Sequence, residues 1–156
     1  MIAQMTINKP LITFEDVALG YSKKIVLQGL NFQIYQGDSL GIIGPNGVGK
    51  TTLLKAILGQ LKPKSGLIQY SRTDIRFGYV VQRQLVDEIF PLSVEEMVIM
   101  GRYGQIGPGK RVKKNDRDMV HQAMEIAGIK SLASRLYSNL SGGQKQRTLI
   151  ARALTC

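Results

Sequence analysis

Gly44, Gly49, Lys50 and Thr51 occupy the fixed positions of the pattern G-x-x-x-x-G-K-[ST] within Gly44-Pro45-Asn46-Gly47-Val48-Gly49-Lys50-Thr51. These residue types at this spacing can grip phosphate. The glycines let the backbone wrap closely around an anion, with N–H groups turned inward. A helix starting at the loop adds a partial positive charge. In that setting Lys50 would reach the β- and γ-phosphates of a nucleotide, and the Thr51 hydroxyl would ligate Mg²⁺. The plain alternative is a glycine turn with a solvated lysine. A second stretch, Leu140-Ser141-Gly142-Gly143-Gln144, has related chemistry. Two glycines at a helix start leave backbone N–H groups open to an anion, and Ser141 adds a hydroxyl. Taken alone, it could equally be just a capped helix.

Each stretch needs elements to hold it. Leu40, Ile42 and Ile43 predict a short buried strand feeding the glycine loop. Leu53, Leu54, Ile57, Leu58 and Leu61 recur at helical spacing after it. The helix should end near Gly59, with Pro63 barring continuation. Upstream, residues 11–18 and Leu27 to Tyr35 predict strands joined by the turn Gly20-Tyr21-Ser22-Lys23-Lys24, and Gln36-Gly37-Asp38 is a second turn. Downstream, 67–70 and 75–81 predict strands, the latter stopping at Gln82.

The middle of the chain turns helical. Val94, Met97, Val98 and Gly101 fall on one helical face behind Ser93 as N-cap. The glycine-rich 101–109 predicts a loop. Asp116 to Ala127 predicts a helix with Met119, Val120, Ala123, Met124 and Ala127 inward and Gly128 as its C-terminal glycine. Ser141 and Gln144 have capping-box spacing, ahead of an apolar stripe of Leu149, Ile150, Ala153 and Leu154.

At 156 residues the chain can bury one core, or a core and a small subdomain. No apolar run approaches the roughly 18–20 residues that span a bilayer, and the N-terminus does not read as a signal peptide. The single cysteine, Cys156, excludes an internal disulfide. The net charge of +10 admits nucleic acid, an anionic membrane surface or an anionic ligand as partner. Its densest part is Lys110-Arg111-Val112-Lys113-Lys114 with Arg117. No aromatic residue interleaves there, so a base-stacking surface is not indicated, and a solvated loop is expected.

Together the two motifs resemble those of the ATP-binding cassette (ABC) family. Gly44 to Thr51 is similar to its Walker A loop and Leu140 to Gln144 matches its LSGGQ signature letter for letter. Gln82 resembles the Q-loop glutamine and Tyr21 the A-loop aromatic. The resemblance implies an α/β fold, a P-loop NTPase (RecA-like) core with an antiparallel β subdomain and a helical signature subdomain. It implies residues 1–87 as the β subdomain and core, 88–140 as the helical subdomain and 141–156 as the signature helix. It implies ATP and Mg²⁺ as cofactors. Gly44, Pro45, Asn46, Gly47, Val48, Gly49, Lys50, Thr51 and Thr52 would hold the phosphates, Tyr21 would stack on adenine (an ordinary turn aromatic is the alternative), and Thr51 with Gln82 would hold the metal. Gln82 would also sense the attacking water. Two cassettes of this family pair head to tail, so Leu140, Ser141, Gly142, Gly143 and Gln144 would face the ATP of the partner copy.

Val86-Asp87, Phe90-Pro91-Leu92-Ser93-Val94 and Met100-Gly101-Arg102-Tyr103-Gly104 resemble the manganese/zinc, and related iron, uptake branch. This implies permease subunits, an indirect link to a substrate-binding protein, no nucleic acid, and a cytoplasmic site on the inner face of the membrane. His121 is expected to be a plain helix residue. The family's Walker B strand, D-loop and switch histidine have no counterpart in the 156 residues, so a C-terminally truncated, poorly hydrolysing and poorly soluble piece is expected. The other readings are a soluble ABC ATPase of translation or DNA repair and a P-loop kinase or GTPase. Against repair types, the interval between the motifs carries no heptads or cysteine pairs. Against GTPases, there is no Asn-Lys-x-Asp sequence.

Overall fold

A computed structural model describes residues 9–80 and 91–156. The chain divides into two compact units, Met1–Ile75 and Arg76–Cys156. Gln82, Val86, Asp87 and Phe90, all read from the sequence above, lie outside the described residues.

The first unit is built on a three-stranded antiparallel sheet. Strand β1 (Ile12–Tyr21) lies between β2 (Lys24–Ile34) and β3 (Ser65–Tyr70). The β1–β2 hairpin turns on Ser22 and Lys23, with Ser22 at φ 47°. Register is set by Phe14 opposite Phe32, whose rings stack at 4.4 Å. A bulge follows at Asp16, whose N–H donates to Asn31 Oδ1 at 2.9 Å. Ile12, Phe14, Val17 and Leu19 of β1 are buried with Ala56 and Ile57 of helix α1 (Lys50–Ile57). The Tyr70 hydroxyl donates towards the Ala56 carbonyl at 3.0 Å, so β3 holds the last carbonyls of α1. Burial raises the Tyr70 pKa above its ordinary 10.0.

Two expected strands are not formed. Residues 38–45 are irregular, with Leu40 54% and Ile43 97% exposed, and 75–80 are irregular as well. A strand exists only through a neighbour that accepts its ladder bonds. Among the described residues, none runs beside either segment, and all strand pairing is antiparallel.

The second unit is helical. Helix α2 (Val94–Ile99) runs through a 3₁₀ turn, Met100–Arg102, into α3 (Tyr103–Ile106); α4 (Lys114–Ile126) and α5 (Gly142–Leu154) follow. Ser93 caps α2 as expected: its N–H donates to Glu96 Oε2 at 2.7 Å, and the Glu96 N–H donates back to Ser93 Oγ at 3.2 Å. The backbone N–H and hydroxyl of Ser93 hold the Glu96 carboxyl below its ordinary pKa. Gly128 ends α4 at φ 66°. The core joins Val94, Met97, Val98, Val120, Ala123, Met124, Ile129, Tyr137, Leu140 and Ala151.

Several local expectations are corrected. Tyr103–Ile106 is helical where a loop was expected. Met119 is 37% exposed. On α5, Ile150 and Leu154 are exposed, and Thr148 and Ala151 face the core. The reason is that small side chains allow close helix approach. Thr148 satisfies its hydroxyl on the Gln144 carbonyl at 2.9 Å and so can be buried. His121 is a surface residue 3.3 Å from Glu95.

Candidate functional site

The two anion-competent stretches fall in different units. In the first unit, Gly49 is the N-cap of α1, at φ 107°. Only glycine suits it. A Cβ there would meet Leu27 at 2.9 Å and Val26 at 3.0 Å, so β2 seats the end of the loop. No side chain caps α1, and its first turn holds no acidic residue. The leading N–H groups and the positive end of the helix therefore face the loop without a protein anion to neutralise them.

Lys50 folds back over the loop. Its Nζ donates to the carbonyl oxygens of Gly44 at 2.7 Å and Pro45 at 2.8 Å. These bonds fix the ammonium inside the curve of the backbone and leave one of its three protons for another acceptor. Gly44, Pro45, Asn46, Gly47, Val48 and Thr51 are exposed, whereas Thr52 is buried under the helix. The structure thus brings Lys50 and the Thr51 hydroxyl to one open loop and helix start. Thr52 can contribute its backbone there, but its side chain is packed inside.

Among the described residues, no group of three or more His, Cys, Asp or Glu could cage a metal. The exposed Thr51 hydroxyl is a single hard oxygen donor, which fits Mg²⁺ held for the rest by ligand phosphates and water. Tyr21, at the end of β1 and 45% exposed, lies under Lys55 of α1, whose Nζ is 5.7 Å from the ring centroid. The aromatic is therefore beside the helix that starts at the loop.

In the second unit, Ser141 is the N-cap of α5. Its Oγ accepts from the Gln144 N–H at 3.4 Å, and its own N–H donates to Gln144 Oε1 at 3.0 Å. Because Oγ acts as acceptor in the cap, its O–H proton is free to donate outward. Ser141, Gly142 and Gly143 are exposed, and a Cβ at either glycine would meet nothing within 4 Å. Leu140 is buried and anchors the stretch in the core. Ser141→Ala is expected to cost about 1 kcal/mol of helical-unit stability through the lost cap, read as a lower urea midpoint with an unchanged slope.

Sequence reasoning missed what holds α5 in place. Arg102 and Asp116 form a buried ion pair, with Arg102 Nη2 at 3.0 Å from Asp116 Oδ1. Arg102 Nη1 also donates to the Thr155 carbonyl at 3.2 Å, just past the end of α5. Thr155 Oγ1 donates to Val98 O at 3.2 Å. The Lys113 backbone N–H, and then the Arg102 guanidinium, hold the Asp116 carboxyl below its ordinary 3.8 against the opposing effect of burial. The adjacent Gly101 was read as opening a loop. Instead it permits contact: a Cβ would lie 2.2 Å from the Arg152 carbonyl oxygen. The available signal was an arginine in an apolar helix face with an aspartate 14 residues on, which periodicity cannot pair.

Residues 27–156 match the ABC transporter family. The chain is 47% identical over 148 residues to the manganese transport system ATP-binding protein MntB of Bacillus subtilis, covering 92% of this chain and 59% of that protein. It is 41% identical to the zinc transport system ATP-binding protein TroB of Treponema pallidum, covering 98% of this chain and 59% of that one. Among solved structures, an inward-facing ABC transporter described as of metal-chelate type superposes with a TM-score of 0.83 at 36% identity, over 96% of this chain and 56% of that chain. The chain thus spans about three fifths of these relatives' length. The glycine loop with Lys50 inside it, the serine-capped start of α5 and the match over residues 27–156 place the chain in the ABC transporter family.

Proposed function

We propose that the chain is part of an ATP-binding subunit that powers import of a divalent metal ion, manganese or zinc, by ATP-driven closure of a head-to-tail dimer and hydrolysis. The observation that carries the nucleotide part is the uncapped start of α1 with the Lys50 ammonium fixed over the loop. Residues 44–52 hold the phosphates, with Lys50 on the β- and γ-oxygens. Thr51, with Gln82, holds Mg²⁺, which when bound neutralises charge on the phosphate oxygens. Tyr21 stacks on adenine. Ser141 and Gly143 donate to the γ-phosphate of the partner copy, and the free O–H of Ser141 suits that role. The metal named for the relatives supplies the substrate class.

Permease subunits, a binding protein reached through them and a place on the inner face of the membrane belong to the same proposal. Copurification with membrane subunits, and manganese- or zinc-dependent uptake lost on deletion of the gene, test the transport part. Copurification with ribosomes would count against it. Tyr21→Ala is expected to weaken ATP binding about tenfold, since stacking on an aromatic is worth roughly 1–3 kcal/mol, and to leave binding of inorganic triphosphate unchanged. Equal loss for both ligands in a calorimetric titration would remove Tyr21 from the adenine site.

A further inference from the structure

We propose that the helical unit carries a site for the phosphate headgroup of an anionic phospholipid, formed by Lys110, Arg111 and Arg117 around a floor of Tyr103, Ile106 and Val112. These six residues help line a cavity of about 840 Å³. That size lies within the range of roughly 300–1,000 Å³ common for ligand sites. It exceeds what a bare phosphate fills.

Among the described residues, none of the ion pairs involves Lys110, Arg111 or Arg117. Asp116, the one acidic residue in 110–117, is committed to Arg102 and to the Lys113 N–H. Lys110, Arg111 and Arg117 therefore bring net positive charge to the edge of the pocket. A solvated loop would need no such floor. Tyr103 is 52% exposed there, and Ile106 and Val112 are half-buried.

Polybasic charge beside an exposed tyrosine and aliphatic side chains matches the boundary of an anionic bilayer, where phosphate sits above glycerol and the first methylenes. The choice of a lipid as the source of the phosphate rests on the proposed role beside a membrane. The assignment makes the helical unit a direct lipid contact, separate from any contact through permease subunits.

The test is co-sedimentation of the 156-residue chain with phosphatidylcholine vesicles, with and without phosphatidylglycerol, at about 150 mM salt, where long-range attraction is screened. Binding is expected only with phosphatidylglycerol. The triple variant Lys110→Gln, Arg111→Gln, Arg117→Gln should bind roughly 100-fold more weakly, from about fivefold per cation. A charge-matched control, Lys62→Gln, Lys64→Gln, Arg135→Gln, should fall less than about threefold. Equal loss in both triples would overturn the site, as would binding to phosphatidylcholine alone. Displacement by inorganic phosphate would overturn the lipid as the source. Capture by polyglutamate with no vesicle binding would do the same in favour of an acidic protein partner. Single substitutions should give graded losses, which guards against a variant that fails to fold. ATP affinity, read on the same samples, should not change. Its failure in the parent chain would strike the nucleotide proposal, and the vesicle pattern would still decide this one.

Discussion

Lys50→Ala is expected to lower ATP affinity at least about 100-fold in a calorimetric or fluorescent-nucleotide titration. The ammonium forms charge-assisted hydrogen bonds, each worth roughly 1.5–3 kcal/mol, and about 1.4 kcal/mol is a factor of ten. The substitution removes the donor that the carbonyls of Gly44 and Pro45 hold in place. It also removes the loop's own tie, so the backbone loses part of the shape that would receive the ligand. The sheet of the first unit should survive, because its core residues Phe14, Val17, Leu19 and Ala56 make no use of the lysine. Lys50→Arg should rescue only weakly: a planar fork does not fit between two carbonyls placed for a compact ammonium. Affinity within about threefold of the parent for Lys50→Ala would show that the loop is not the phosphate site.

The second large effect is expected at Arg102. Arg102→Leu leaves Asp116 buried without its partner and frees the Thr155 carbonyl. Removing one member of a buried pair is far more costly than removing both. The melting temperature of the helical unit should fall by on the order of 10 °C. Arg102→Leu combined with Asp116→Leu should recover a large part of that loss, and failure to recover would assign the effect to the Thr155 contact instead. The same pair sets an acid limit. Asp116 titrates lower in the folded chain than its ordinary 3.8, so its ionised form contributes fully above that value. The contribution is lost as pH falls from about 3.8 through the lower folded pKa. An Asp116→Asn variant should show a flatter stability profile in that window and lower stability above it.

The residues of the loop and the signature were legible because their chemistry is local. A glycine at φ 107°, a lysine one residue on and a serine three residues before a glutamine act within a turn of chain. The hairpin and the four main helices were legible from alternation and helical spacing for the same reason. The missed features depend on distant partners. Leu40 to Ile43 has the composition of a buried strand, but composition does not supply the neighbour that makes one. Arg102 lies in the 101–109 stretch expected as a loop, and its role appears only when residues 116 and 155 meet it. On α5, large apolar residues were taken to mark the inner face, yet close packing selected Thr148 and Ala151.

The ties between α5 and the start of the helical unit have a consequence for the order of synthesis. Thr155 meets Val98 across 57 positions and Arg102 across 53. The β1–β3 pairing of the first unit needs nothing beyond Tyr70. On a ribosome, that sheet can close as soon as its third strand emerges, well before the helical unit has its last helix. The helical unit must wait, holding Val94, Met97 and Val98 without their final cover until Ala151 and Thr155 leave the exit tunnel. A pause in translation between α4 and α5 would therefore expose that apolar face to chaperones, whereas a pause after α1 would not.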